Sequence, residues 1–413
     1  MKPLADAQRR ILEAMDPLPG VRVPLADALG LALAAPVEAR HDLPSFANSA
    51  MDGFAVRAAD TRHAPVTLRV VDDIPAGSTP QVPVGRGEAA RIMTGAAIPA
   101  GADAVVKVES TAEEGGRVRV LVPVDPETAI RPAGGDVAAG ARVLEAGERL
   151  GPAHLGLLAA LGVSLPLVHR RPRVAVLSTG DEVRPADTVD LPPGAIRDAN
   201  RPMVVAMATA LGAEVVDMGI VPDDAARLRA SLEEAAGLAD AVLTSGGVSM
   251  GAHDLVKQVL GEMGSVEFWK VAMQPAKPFA FGFIGGTPFF GLPGNPVSVM
   301  VAFEQFVRPA LLRRMGSRFL FRIRLPGVIT QAVATDPEKT VFLRVTVTQA
   351  DGAWSATLSG GQSSNVLSAL ARAPALAVIP AGVGAVRAGG AVELEMIGWP
   401  EGRTAEEVLG WKG

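Results

Sequence analysis

Residues 241–254 read Ala241-Val242-Leu243-Thr244-Ser245-Gly246-Gly247-Val248-Ser249-Met250-Gly251-Ala252-His253-Asp254. A short apolar run enters a loop rich in glycine and hydroxyls, and helix-like spacing follows over residues 253–263. Strand, loop and helix in that order are the repeating unit of a parallel sheet. The same alternation extends outward from this stretch. Strands are expected at residues 173–177, 214–220 and 266–271, and helices at 199–211, 224–236 and 296–315. Residues 171–320 therefore predict an α/β/α domain with a mostly parallel sheet.

The flanks read differently. Residues 1–46 carry helix-like spacing at Leu4, Ile11, Leu12 and Met15 and again over 27–35, and with 141–170 they predict a helical packing domain. Residues 47–140 hold short β runs at 66–71, 104–108 and 117–122, which predict an inserted β-rich domain. Residues 321–413 contain strand pieces at 322–329, 340–347, 354–358, 376–379 and 392–396, the pattern of a small β-barrel or sandwich. The 413 residues exceed the about 250–300 at which a single core stops growing, so a multidomain α/β protein is expected.

Composition narrows the function. With 48% hydrophobic and 20% charged residues, wholesale disorder is excluded. A net charge of −5 lacks the basic footprint of a nucleic-acid binder. No cysteine occurs, so disulfides, thiolate nucleophiles and cysteine-held zinc or iron–sulfur centres are excluded, and any sulfur chemistry must come from a ligand. There is no apolar signal segment near Met1 and no 18-residue apolar run, so no membrane partner and a cytoplasmic location are expected.

Ligands of open parallel sheets sit at the carboxyl ends of the strands. Three such ends are rich in polar groups: Ser178-Thr179-Gly180-Asp181-Glu182, Val221-Pro222-Asp223-Asp224, and the loop from Thr244 to Asp254. In the third, glycines let the backbone approach a ligand, Thr244, Ser245 and Ser249 supply hydroxyls, and the next helix offers free amides, a combination suited to phosphate. It matches neither a P-loop nor a GxGxxG pattern. Gly246 and Gly247 read equally as a tight turn, with Asp254 offsetting the helix dipole. Asp181, Glu182, Asp223, Asp224 and Asp254 beside a phosphate call for a hard cation such as Mg²⁺. Helix capping by Asp223 and Asp224 is the competing reading.

Lysine is scarce, 7 in the chain, yet Lys257, Lys270 and Lys277 fall within 21 positions. Lys270 and Lys277 flank a break after a strand and suit an oxyanion; Lys257 reads as a solvated helix residue. Residues 291–296 form a second glycine-proline turn before a helix that carries Ser298, read as an anion site or as a plain turn and cap. In the β-rich region, residues 48–53 and 91–95 collect polar groups and glycine where a strand would alternate.

Five motifs occur in order: residues 44–56 (PSFANSAMDGFAV), 91–96 (RIMTGA), 177–182 (LSTGDE), 244–251 (TSGGVSMG) and 291–298 (GLPGNPVS). Together they closely resemble the MoeA and gephyrin E-domain family, the molybdopterin molybdenumtransferases, and the resemblance covers essentially the whole chain. It implies an α/β domain of molybdopterin-binding type in an elongated homodimer of four-domain protomers. The active site would lie between the α/β domain of one protomer and the β-rich domain of the other. It further implies insertion of molybdate into adenylylated molybdopterin, with Mg²⁺-dependent release of AMP. Molybdopterin adenylyltransferase and acceptor molybdoenzymes are the protein partners implied.

Carried over residue by residue, the family pattern implies catalytic roles for Asp52, Thr94, Asp136, Glu182, Asp223 and Asp254, with Glu182, Asp223 and Asp254 as metal ligands. Ser178, Gly180, Thr244, Ser245, Gly246, Gly247, Ser249, Gly251 and Arg131 would contact the pterin or its phosphate. Lys270, Lys277, Ser298, Arg344 and Ser364 would form the oxyanion group. Two positions depart from the pattern: Gln274 stands where some relatives carry lysine, and Ala276 replaces a glycine. A tungstate-handling paralogue, a molybdopterin adenylyltransferase and a gephyrin-type scaffold are the alternatives. The joint presence of Asp52, Thr94, Glu182, Asp223 and Asp254 argues against the scaffold, and the additional domains argue against a free-standing adenylyltransferase.

Overall fold

The apolar run at Arg173–Thr179 (β1) is the second strand of a six-stranded sheet. The region continues with α1 (Asn200–Leu211), β2 (Glu214–Val221), α2 (Ala225–Leu238), β3 (Ala241–Ser245), α3 (Leu255–Met263), β4 (Gly264–Lys270), β5 (Pro278–Ile284), β6 (Thr287–Leu292) and α4 (Pro296–Ala302). The computed structural model describes residues 1–246, 255–350 and 352–398. The sheet order is β2-β1-β3-β6-β5-β4. β2, β1, β3 and β6 run parallel, whereas β5 is antiparallel to both β6 and β4. Five strands thus point one way and only β5 is reversed.

The β5–β6 hairpin went unread in the sequence. Ile284 pairs with Thr287 across a two-residue turn in which Gly285 and Gly286 take φ of 55° and 86°. Both central residues need positive φ in such a turn, which two glycines supply without strain.

Side chains alternate across the sheet. Val174, Val176, Leu243 and Phe290 pack with α1, α4 and the N-terminal helix Leu4–Glu13 on one face. Ala175, Leu177, Val242 and Phe289 pack with α2 and α3 on the other. Full burial of each large apolar side chain contributes about 1.5–3 kcal/mol. The helix expected over 296–315 is interrupted: α4 passes into a π-helical turn, Phe303–Val307, before Arg308–Arg314. Pro309 explains the break, because its ring excludes the usual bond to the carbonyl four residues earlier, at Gln305. That carbonyl accepts from Gln8 Nε2 at 3.2 Å instead.

In the C-terminal part, Thr340–Ala350, Ala353–Leu358, Arg324–Ile329, Ala391–Met396 and Ala375–Ile379 pair in a ring that closes on Thr340–Ala350, a five-stranded barrel. Val341, Val345, Ala377 and Leu394 fill it.

The chain divides into two compact units. One holds Met1–Val21, Gly30–Ala34 and the described residues from Leu167 on, and so includes the α/β region and the barrel. The other holds Arg22–Leu29 and Ala35–Pro166. Its six-stranded sheet has the order Ala104–Lys107, Gly53–Val56, Glu88–Ile92, Val66–Ile74, Arg117–Val120, Thr111–Glu114. The helix expected over 27–35 does not form. A single 3₁₀ turn, Leu25–Asp27, ends before Gly30, whose φ of 76° is incompatible with a continuing helix.

Candidate functional site

Strand register places the candidate loops along one edge. Thr179 pairs with Val221, Ser178 with Ser245, Ser245 with Leu292, and Lys270 with Pro278. The carboxyl ends of β2, β1, β3, β6 and β4 therefore line up, with Asp223 beyond β2 and Lys270 closing β4. Five strand spacings of about 4.8 Å put these two flanks about 24 Å apart.

The β1–β2 flank is acidic. The Asp223 amide donates to Asp181 Oδ1 at 3.1 Å, and the Asp181 amide donates to Asp223 Oδ2 at 3.4 Å, which ties the two loops together. Capping of α2 falls to Asp224 alone, which accepts from the Arg227 amide at 2.8 Å. Gly180 has φ of 135°, a conformation that favours glycine, and the Glu182 carboxylate folds back over the turn against it.

The centre is lined with buried hydroxyls. Ser178, Thr179, Thr244 and Ser245 are all buried. Ser178 Oγ donates to Asp198 Oδ1 at 3.1 Å, and Asp198 also accepts from Arg201, at 3.1 Å from its amide and 3.0 Å from Nε. Arg201 pairs with Asp217 as well. Burial works against the Arg201 charge, but Asp217 and Asp198 outweigh it and hold its pKa above the ordinary guanidinium value. Gly246 turns with φ of 95°, and a Cβ there would press to 2.9 Å from the Thr179 carbonyl. Thr244 Oγ1 is buried with no hydrogen-bond partner among the described residues. Gly247, Ser249, Gly251 and Asp254 lie outside the described residues.

Beside these strand ends is a cavity of about 210 Å³, whose wall includes Ser178, Glu182, Asp198, Asn200, Ser245 and Gly246. Asp198, Asn200 and Arg201 were absent from the sequence reading. The signal was present: Asp198-Ala199-Asn200 leads into a helix, where such side chains bond to neighbouring loops and amides.

The β4–β6 flank is basic. Lys270 and Lys277 are exposed, and the Val271 amide donates to the Lys277 carbonyl at 2.8 Å, closing the loop between them. Within it, Met273–Gln274 pairs with Thr340 and Val341 of the barrel. From the barrel, Ser364 Oγ accepts from Asn295 Nδ2 at 2.9 Å and its carbonyl accepts from the Val297 amide at 3.2 Å, so Ser364 sits on the turn that opens α4. Ser298 is buried inside that helix.

Arg344 is 1% exposed. Its Nη2 donates to the carbonyls of Gly361 at 2.8 Å and Ser363 at 3.1 Å, while Nε has no hydrogen-bond partner among the described residues. Among the described residues no carboxylate pairs with it, and burial holds its pKa below the ordinary guanidinium value. A buried cation without a counter-charge is costly, which suits this position to an anionic ligand.

The other unit carries a second group. Gly53 pairs with Ile92, so the residue before one strand meets those after the other. Asp52 Oδ1 accepts from the Thr94 amide at 2.7 Å and from Thr94 Oγ1 at 2.8 Å, and these two donations hold its pKa below the usual carboxylate range. Gly53 is required, since a Cβ there would lie 2.0 Å from the Val106 carbonyl. Arg131 pairs with Asn48, and the Asp136 amide donates to the Leu43 carbonyl at 3.0 Å. The segment from Leu43 to Asp52 thus tethers all four candidates of this unit.

Among the described residues no group of three or more carboxylate or imidazole side chains converges to hold a metal ion, and no helix is long and apolar enough to cross a membrane.

Comparison with known proteins covers nearly the whole chain. Family models match as "MoeA N-terminal region (domain I and II)" at residues 2–162, "Probable molybdopterin binding domain" at 175–313 and "MoeA C-terminal region (domain IV)" at 326–397. Molybdopterin molybdenumtransferase 2 of Mycobacterium tuberculosis is 42% identical over 400 residues, 94% of this chain and 98% of that protein. The molybdopterin molybdenumtransferase of Staphylococcus aureus is 34% identical over 416 residues, 98% of this chain and 97% of the other. The solved structure of the molybdopterin biosynthesis MoeA protein from Pyrococcus horikosii is similar with a TM-score of 0.81 at 33% identity, covering 96% of this chain and 99% of that one.

Proposed function

This chain belongs to the MoeA family of molybdenum cofactor biosynthesis, and we propose that it is a transferase that inserts molybdate into adenylylated molybdopterin with release of AMP. The observation that carries this reading is the polarity of one sheet edge, with carboxylates at the β1–β2 flank and lysines at the β4–β6 flank. A ligand with a phosphate at one end and an oxyanion acceptor at the other suits that spread.

Mg²⁺ fits the acidic flank by its donor chemistry. It takes one or two carboxylates and completes its shell with phosphate and water, and the Asp181–Asp223 tie brings two carboxyl groups together. Glu182, Asp223 and Asp254 would hold it, and when bound it would neutralise charge on the phosphates. The amides beyond Thr244 and Ser245 would orient the phosphate. Lys270, Lys277 and the carboxylate-free Arg344 would draw molybdate in, with Ser298 and Ser364 close to the α4 turn. The charged Asp52, fixed by Thr94, would order water or a proton at the reacting centre, flanked by Arg131 and Asp136.

The test supplies adenylylated molybdopterin, Mg²⁺ and molybdate to the purified protein and follows AMP. Molybdate-dependent AMP is expected; bound ligand without AMP release would point to a carrier or scaffold. We further propose a homodimer whose sites join the α/β residues of one protomer to the Asp52 group of its partner. Mixing inactive Asp52→Ala and Asp223→Ala proteins should then restore about a quarter of wild-type activity, because half the dimers are mixed and each holds one intact site. No recovery after exchange would show that each chain builds its own site.

A further inference from the structure

The cavity beside β1 and β3 carries a polar atom that nothing among the described residues satisfies. Asn200 opens α1, and its Nδ2 donates to the Gly294 carbonyl at 2.6 Å, which fixes the orientation of the amide. Its Oδ1 is buried and has no hydrogen-bond partner among the described residues. Two carboxylates, Asp198 and Glu182, stand in the wall beside the hydroxyls of Ser178, Thr179 and Ser245, and Arg197 is turned to the carbonyls of Thr188 and Val189. Without a cation, those two carboxylates disfavour a phosphate inside the cavity itself. At about 210 Å³ the cavity is smaller than the roughly 300–1,000 Å³ of sites that enclose a whole drug-sized ligand, so it takes a single ring system. We propose that Asn200 is a specificity-determining residue whose Oδ1 accepts an N–H from an amino-substituted nitrogen heterocycle seated in this cavity. This rests on the reading of the crevice as the site of adenylylated molybdopterin. The heterocycle is either the 2-amino-4-oxo ring of the pterin or the adenine of the nucleotide; both present an exocyclic amine, and an oxo group in its place would set acceptor against acceptor.

The experiment measures binding of two probe pairs to the full chain by calorimetry or ligand-observed NMR: pterin against lumazine, and adenosine against inosine. In each pair an oxo group replaces the amine. The wild type should prefer the amino member of one pair by about tenfold, the cost of leaving a buried acceptor facing an acceptor, and the discriminating pair identifies the ring. Asn200→Ala should bring that ratio close to one. Asn200→Asp, which keeps an acceptor but loses the donation to Gly294, should retain the preference, and this separates ligand reading from support of the turn. A ratio unchanged in Asn200→Ala, a preference lost equally in Asn200→Asp, or no preference or no binding of either pair by the wild type overturns the proposal. Molybdate-dependent AMP release with unchanged ratios removes only this inference. Amine discrimination without AMP release removes the transferase reading and leaves the recognition standing.

Discussion

The two ends of the α/β sheet are built on opposite rules. At the amino end, Asp240 lies just before β3 and receives a bidentate Arg170 at 2.6 and 2.7 Å and the Arg173 amide at 2.8 Å. Arg171 donates to the Gly212 carbonyl at 3.1 Å, Arg314 approaches Asp240 at 4.0 Å, and among the described residues Arg314 Nε is the buried side-chain atom of this cluster without a hydrogen-bond partner. At the carboxyl end, Thr244 Oγ1 and Asn200 Oδ1 are buried and unpaired among the described residues. An unmet buried polar group costs about 1–3 kcal/mol. One end spends its polar groups on the fold, while the other keeps hydrogen-bonding capacity that a ligand can complete.

The largest effect that would test this contrast is on stability at the amino end. Asp240→Ala leaves Arg170 without its carboxylate in a partly buried setting, and a loss of about 3 kcal/mol is expected by urea unfolding. AMP release per folded molecule should stay within about twofold, since Asp240 lies at the far end of the strands. A matching loss of turnover would mean the ends are not separable. Burial works to raise the Asp240 pKa, but Arg170 and the Arg173 amide outweigh it and hold the group below the ordinary carboxylate value. Its contribution is therefore complete above the unfolded pKa of about 4 and is lost as pH falls through the lower folded value. In Asp240→Ala that part of the acid destabilisation should vanish.

The converse holds at the carboxyl end. Asp223→Ala should reduce AMP release by about 100-fold, close to 2.7 kcal/mol in the barrier, and shift the urea midpoint little, because Asp224 retains the cap of α2. Near-normal turnover would make Asp223 a loop tie and nothing more. Ser178→Ala is intermediate. It removes one donor from Asp198, which keeps Arg201, so a stability loss of about 1 kcal/mol is expected with a smaller effect on turnover. A loss well above that would show that the Ser178–Asp198–Arg201 chain belongs with the structural end.

Much of this contrast was legible in the sequence. The run of apolar residues at 173–177 and the hydroxyl-rich strand ends follow from a sheet buried on both faces and open at one edge. The reversed β5 was not read, although Gly285-Gly286 between two aromatic-rich runs is a hairpin signal. Because of that hairpin β4 runs in the common direction, which carries Lys270 to the same edge as Asp223. The Asp240 cluster was equally hidden, since its partners lie about 70 positions away at Arg170 and Arg173, and sequence spacing carries no trace of a contact at that range. Asp198 and Asn200 went unread for the same reason: their partners Ser178 and Gly294 lie 20 and 94 positions away.

Ala276 offers the smallest and most discriminating test, because it lies on the loop carrying Lys277 yet is packed into the core. Its φ is 70° and it is 3% exposed. A non-glycine residue there is strained by about 1–2 kcal/mol. Ala276→Gly releases that strain, but it increases the freedom of the unfolded chain by about 0.5–1 kcal/mol and removes a buried methyl group worth about 0.8 kcal/mol. These terms nearly cancel, so the urea midpoint should move by no more than about 0.5 kcal/mol in equivalent stability, with an unchanged slope. The KM for molybdate should change less than about twofold, since glycine supports the same turn and leaves the Val271–Lys277 bond in place. A stable variant with a strongly altered KM would show that the Ala276 methyl sets where Lys277 stands, and would move this loop from the part of the molecule that holds the fold to the part that reads the ligand.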